Sequence, residues 1–190
     1  KELNYVDHEI ERIKSVTHKN KMETMYNYQS ILQRTVQNLL GNTSSSTELI
    51  IYKKDKSDLL QSLQDKNENL GIFFVHLYSS QLKYMFGDLD QAYREIQEAQ
   101  KYLIAVTGGL YHFALYYFYR ALIILATASR SSAEERKRTV KRVEYHNGKL
   151  ETWAEHAPMN FLHKHLLVSA EMARIKKNFL EAENLYEKAI

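Results

Sequence analysis

The side chains with most chemistry to offer are the histidines, a run of cations and the tyrosines, and their spacing limits what each can do. His163 and His165 stand two apart, so a helix points them about 200° apart and they cannot share a metal ion. His112, His146 and His156 have no cysteine partner and no His-Glu-x-x-His spacing. No metal and no cofactor is therefore expected. Residues 130–149 carry Arg130, Arg136, Lys137, Arg138, Lys141, Arg142 and Lys149 against Glu134, Glu135 and Glu144. On a helix Arg138, Lys141, Arg142 and Tyr145 share one face. That face reads either as a contact surface for an acidic partner or phosphate, or as a solvated outer face. Gly108-Gly109 lacks the lysine of a phosphate loop, and there is no nucleophile elbow, kinase catalytic loop or Asp-Phe-Gly motif. Nothing nominates a catalytic residue.

The elements that position these groups are organised around residues 108–128, GGLYHFALYYFYRALIILATA. Apolar and aromatic residues cover every face of a helix there, so other helices must surround it. His112, Arg120 and four tyrosine hydroxyls argue against a membrane span, because each would need a partner in lipid. Arg120 needs an acidic or carbonyl partner, and Glu151, Glu155 or Glu171 is expected to supply an ion pair. Trp153 is expected to anchor packing at a hairpin junction.

One proline and six glycines in 190 residues, with no long alternating stretch, point to an almost entirely helical protein. The net charge of +3 is too mild and too dispersed for a nucleic-acid binder. The absence of cysteine fits a reducing compartment, and no signal peptide or anchor is evident, so a cytoplasmic location is expected. Lys1 opens inside a charged helical pattern and Ile190 closes in mid-helix, so the chain reads as a piece of a longer protein.

In chain order, residues 1–41 read as one long helix or a pair, with a possible break in THKNKMET (17–24) and a left-handed cap at Gly41. Residues 42–67 form a flexible polar loop and a short helix that Ser57 caps, with ELIIY (48–52) packed as extended chain. Residues 68–190 read as helical hairpins. Gly87 separates the first two helices, the second of which runs to about Val106. Gly108-Gly109 precedes the central helix, Ser131-Ser132 caps a helix over 133–156, and Pro158 opens the next. The last pair covers 159–176 and 179–190.

FGDLDQAYREIQEAQKYL (86–103) aligns with KNFLEAENLYEKAI (177–190): Leu89 with Phe179, Ala92 with Ala182, Ile96 with Tyr186, Ala99 with Ala189. This is the pattern of the second helix of a tetratricopeptide-type repeat, in which small alanines permit close approach and the large residue fills the groove. Ala92 and Ala182 lie more than two standard repeats apart, so the hairpin between them must be enlarged. The expected fold is all-α, with antiparallel hairpins stacked as a tetratricopeptide-like superhelix. The first helices of such hairpins line a concave face, which nominates Phe74, His76, Tyr78 and Gln81, with His112 and Tyr116 to Tyr119, as partner-binding candidates.

ETWAEHAPM (151–159) followed by NFLHKHLLVSAEMARIKKNFLEAENLYEKAI (160–190) resembles the helical region of large bacterial signalling proteins. These join a serine/threonine kinase, an AAA-type ATPase, a tetratricopeptide-like stretch, a GAF sensor and often a histidine kinase, and are abundant in cyanobacteria. RTVQNLLG (34–41), YMFGDLDQA (84–92) and AVTGGLYHFALYYFYRALIIL (105–125) are similar to that region too. Its catalytic motifs lie in other modules, so the resemblance transfers no functional residue. It implies a non-catalytic scaffold that transmits a signal through contacts with neighbouring domains of the same polypeptide or with another protein. The mild charge and the polar groups of the central helix separately lead us to expect no nucleic acid and no membrane insertion. The alternative is a small-molecule sensor whose pocket is lined by the tyrosines of 111–119.

Overall fold

A computed structural model describes residues 2–49, 56–106, 111–129 and 131–190. Among these, the secondary structure is entirely helical: α1 (Leu3–Lys19), α2 (Glu23–Leu39), α3 (Lys56–Asp65), α4 (Asn69–Met85), α5 (Leu89–Lys101), a 3-10 turn (Leu103–Ala105), α6 (Tyr111–Ala128), α7 (Ala133–His156), α8 (Pro158–Ile175) and α9 (Phe179–Ala189). None of these helices is long and apolar enough to cross a membrane. The chain divides into two compact units, Lys1–Thr107 and Gly108–Ile190. The boundary falls inside the stretch read as one run of hairpins.

Helix boundaries follow local chemistry. Ser132 caps α7 by accepting from the Glu135 amide at 3.2 Å, Asp88 caps α5 by accepting from Gln91 at 3.2 Å, and Pro158 is the first residue of α8. The polar stretch 17–24 does break, and α1 and α2 fold into a hairpin. Ser57 lies inside α3 rather than ahead of it, because the helix already begins at Lys56. α5 stops at Lys101, short of the expected end near Val106, because the chain tightens into the 3-10 turn and buries Val106.

One turn recurs. α1, α2, α3, α4 and α8 each end with a left-handed residue: Lys21 (φ 55), Gly41 (φ 75), Asn67 (φ 55), Gly87 (φ 86) and Lys177 (φ 64). In each case the next amide reaches five residues back to a helix carbonyl, as in Asp88 to Lys83 at 2.8 Å and Asn178 to Ala173 at 3.0 Å. These are Schellman caps, which satisfy carbonyls that the helix end leaves open. In four of them the residue after the left-handed one is itself the N-cap of the next helix: Met22, Glu68, Asp88 and Asn178. The two copies of the sequence repeat thus share a turn, with Gly87 matched by Lys177.

In the first unit α4 is the centre. Every residue from Gly71 to Ser80 is buried, and α2, α3 and α5 pack against it. Gly71 permits that closeness: a Cβ there would lie 2.8 Å from the Leu63 side chain and 3.1 Å from Tyr28. Ala92, Ile96 and Ala99 are fully buried on α5, as the repeat pattern requires. The polar loop after Gly41 is anchored rather than loose in its described part. Buried Asn38 donates to the carbonyls of Ser46 and Glu48 at 3.2 and 2.9 Å. Leu49 is buried, whereas residues 50–52 of the expected extended stretch lie outside the described residues, as do Gly108, Gly109 and Arg130.

In the second unit α6 is the buried helix, packed by α7 and α8, and α9 folds back on α8. Trp153 is the expected anchor: its ring lies 6.0 Å from Phe113, 5.8 Å from Tyr117 and 6.0 Å from Phe161, and so joins three helices. Ala182 is buried against α8, but Phe179 is 65% exposed where its counterpart Leu89 is half-buried.

Candidate functional site

Three groups of side chains are placed so that they could act on something. The first is a polar stripe on α4. His76, Ser79, Ser80 and Lys83 recur at helical spacing and all four are buried. Facing them from α5 is Glu95, also buried, on the same stripe as Ala92, Ile96 and Ala99. His76 Nδ1 donates to Glu95 Oε2 at 2.8 Å, and Lys83 Nζ donates to Oε1 at 2.9 Å. Lys56, from α3, donates to the same Oε1. The Tyr102 ring stacks on His76, with centroids 6.5 Å apart and planes 10° from parallel.

Burial works to raise the Glu95 pKa, but the His76 hydrogen bond and the two ammonium groups outweigh it and hold the carboxyl at about 2. Burial lowers the Lys56 pKa against the pull of Glu95. A carboxylate held this acidic and saturated with donors is a poor general base. Its chemistry is that of a lock joining three helices. Phe74 and Tyr78, two further candidates on this helix, are also core residues, and Gln81 is half-buried.

The second group is aromatic and lies in the second unit. Arg120 does not find the carboxylate that its position demands. Its Nη1 donates to the Tyr116 hydroxyl at 3.0 Å, its Nε donates to His146 Nε2 at 3.3 Å, and the guanidinium sits 5.8 Å from the Tyr116 ring centroid. Glu171, one of the carboxylates expected to pair with it, is occupied by Arg174 and by the Tyr186 hydroxyl. The phenol and imidazole satisfy the cation without a second buried charge. Burial, reinforced by Arg120 and Arg142, lowers His146 to about 4, so the ring is neutral near pH 7 and accepts at Nε2. Burial pushes Tyr116 up to about 12, against the opposing effect of Arg120.

Tyr116 is 2% exposed, and Tyr117 touches the rings of Phe113, Tyr116, Tyr145, His146 and Trp153. These tyrosines pack against one another. His112 is half-buried, with a pKa that burial lowers.

The third group is a groove of about 500 Å³ beside the first half of α7 and the α8–α9 turn. Val140 and Ile175 form its floor, Arg136, Lys137 and Lys141 line one wall, and Lys176 and Lys177 line the other. Glu144 is the single acid among the lining residues. Lys137, Lys141, Lys176 and Lys177 are exposed, and no carboxylate of the described residues pairs with any of them. Lys141 therefore belongs to this groove. Arg138 and Arg142 line a separate depression on α7 with Glu134 and Glu135, where Arg138 pairs with Glu134 at 3.5 Å.

No cluster of three or more His, Asp or Glu side chains among the described residues could hold a metal. Sequence reasoning found His76, Arg138, Lys141 and Arg142 but missed Glu95, Lys83, Lys176 and Lys177. The readable signals were a glutamate inside an apolar stripe and a pair of lysines at a repeat turn. Compared with known protein families, with curated proteins and with solved structures, the chain matches none.

Proposed function

We propose that this chain is a non-catalytic, tetratricopeptide-like scaffold segment that docks other protein modules and passes a signal by contact. The observation that carries the reading is the open groove of the second unit, where four exposed lysines lack carboxylate partners. Groups left charged, exposed and unpaired around an apolar floor are suited to recognising a surface of opposite charge. The repeated Schellman turn and the buried, matched Ala92 and Ala182 support a stacked-hairpin array, whose concave and end surfaces serve as binding faces. The resemblance of residues 151–190 to cytoplasmic kinase–ATPase–GAF signalling proteins supplies the kind of partner: a neighbouring module of the same polypeptide.

The rival reading as a tyrosine-lined sensor is weakened by the close contacts of Tyr117, whose ring meets five aromatic neighbours. The interaction reading is tested by titration calorimetry of the chain against the flanking modules of its parent protein at low and physiological salt. Micromolar binding that weakens with salt is expected. Absence of heat at both salt concentrations sinks it.

A further inference from the structure

We infer that the groove between the first half of α7 and the α8–α9 turn takes an acidic amphipathic helix of a partner protein. The inference rests on the docking role proposed above and names the chemistry of the docked element. Shape comes first. The lining runs from Ala133 to Glu144 on α7, a length of about 16 Å at the helical rise, which matches roughly three turns of a docked helix. The floor, Val140 and Ile175, is apolar and continuous with the core of the unit, where both residues are buried. One apolar stripe of the incoming helix would cover it.

Charge comes second. Lys137 and Lys141 stand one turn apart on α7, and Lys176 and Lys177 face them from the turn. A helix with leucines towards the floor presents its two flanks to these two walls, and glutamates on those flanks meet both pairs of lysines. The Arg136 Nη1 donates to the Ser131 carbonyl, a neutral partner that fixes its direction, so its charge adds to that of the four lysines. The lysines are spread along the two walls instead of converging on a point, and this suits a line of carboxylates better than one small anion. Glu134, Glu135 and Glu144 on the same helix disfavour a nucleic-acid backbone. Lys177 has a second tie to the groove: its left-handed φ of 64 belongs to the Schellman cap that sets the course of the wall.

The test uses the whole chain and a fluorescein-labelled amphipathic peptide about three turns long, with leucines on one stripe and glutamates on both flanks. Anisotropy is read for the wild type, for Lys137→Glu/Lys141→Glu/Lys177→Glu and for Arg138→Glu/Arg142→Glu. Circular dichroism confirms folding, and a Lys137→Gln/Lys141→Gln pair serves as a milder second variant. The expected result is saturable binding that weakens at least tenfold, as an order of magnitude, in the triple variant and changes little in the arginine variant. A peptide with glutamine for glutamate should bind more weakly than its parent. Equal binding by the wild type and the triple variant overturns the inference. So does tighter binding of a single-stranded oligonucleotide than of the peptide, or self-association that excludes the peptide and makes a second copy the occupant. If flanking modules bind while the triple variant binds them equally well, this groove assignment fails and the docking role survives. If the peptide binds at the lysines but no flanking module does, the reverse holds.

Discussion

Lys83 on α4 donates to Glu95 on α5 at 2.9 Å, and both side chains are buried. Replacing the carboxylate by an amide leaves two ammonium groups facing one another without the negative charge they share. Glu95→Gln is therefore expected to cost unit 1 about 3–5 kcal/mol. Lys83→Met, which leaves Glu95 its bonds to His76 and Lys56, should cost less. Urea titration followed by far-UV circular dichroism measures both. Equal stability of Glu95→Gln and wild type would remove the lock.

Acid should act on the two units through different groups. His146 is held at about 4 in the fold, below its ordinary value of 6.5. The unfolded chain takes up that proton first, so this contribution is intact above pH 6.5 and is lost as the pH falls towards 4. Arg120, Arg142, Tyr117 and Tyr145 are its charged and titratable neighbours. Glu95 is held at about 2, below 4.5, so its contribution is intact above pH 4.5 and is lost between 4.5 and 2. Trp153, the chain's single tryptophan, sits in the second unit and reports it by fluorescence. Denaturant midpoints read from Trp153 should fall between pH 6.5 and 4, and His146→Gln should flatten that slope. Amide-exchange protection in α4 should lose the Glu95 contribution only below pH 4.5.

Left-handed turns without glycine leave room for improvement. Lys21 adopts φ 55 at an exposed site and pays the steric cost of a side chain there. Lys21→Gly is expected to raise stability by about 1 kcal/mol. Gly87→Ala should lower it by a similar amount, since φ is 86. Thermal melts of both variants decide the matter; a loss in Lys21→Gly would contradict the strain argument.

Two helical glycines should respond oppositely to alanine. Nothing lies within 4 Å of a Cβ added at Gly148, so the gain in helix propensity, about 0.5–1 kcal/mol, should appear in full. At Gly71 the new methyl meets the Leu63 side chain at 2.8 Å, and Leu63 is itself 1% exposed. The cost of overpacking, about 1–3 kcal/mol, exceeds the propensity gain there. Differential scanning calorimetry of the two variants should give shifts of opposite sign.

What could be read from the residues follows the range over which each signal acts. Gly41, Gly87, Ser132 and Pro158 mark helix ends through their own backbone or side-chain chemistry, and each lies where the sequence put it. The apolar circumference of 111–128 identified a buried helix for the same local reason. Lys21, Asn67 and Lys177 hold the same left-handed position as the glycines, yet a lysine is an unremarkable residue at a helix end and gives no warning. Arg120 within an apolar helix needs a partner on sequence grounds alone, but its partners are Tyr116 and His146. The choice depends on how α6 and α7 pack, which periodicity does not encode. Glu95 was hidden because a glutamate in QAYREIQEAQ resembles a solvated one until its offset from Ala92 and Ile96 is noticed. The groove combines residues of α7 with a turn more than thirty positions later, so only the tertiary fold could assemble it.

The turns in which one residue closes a helix and its neighbour opens the next have a bearing on how the chain reaches its fold. Each fixes the reversal of direction within a few bonds, so a hairpin such as α4–α5 or α8–α9 can form before distant segments meet. The packed pairs in each unit join helices that are adjacent or next but one along the chain. Little loop entropy stands between the disordered chain and its contacts. Refolding of the second unit, followed at Trp153 by stopped-flow fluorescence, should accordingly be complete within about milliseconds. Within each unit, assembly would proceed by adding one helix at a time to its chain neighbours, and a late helix would find its surface already built.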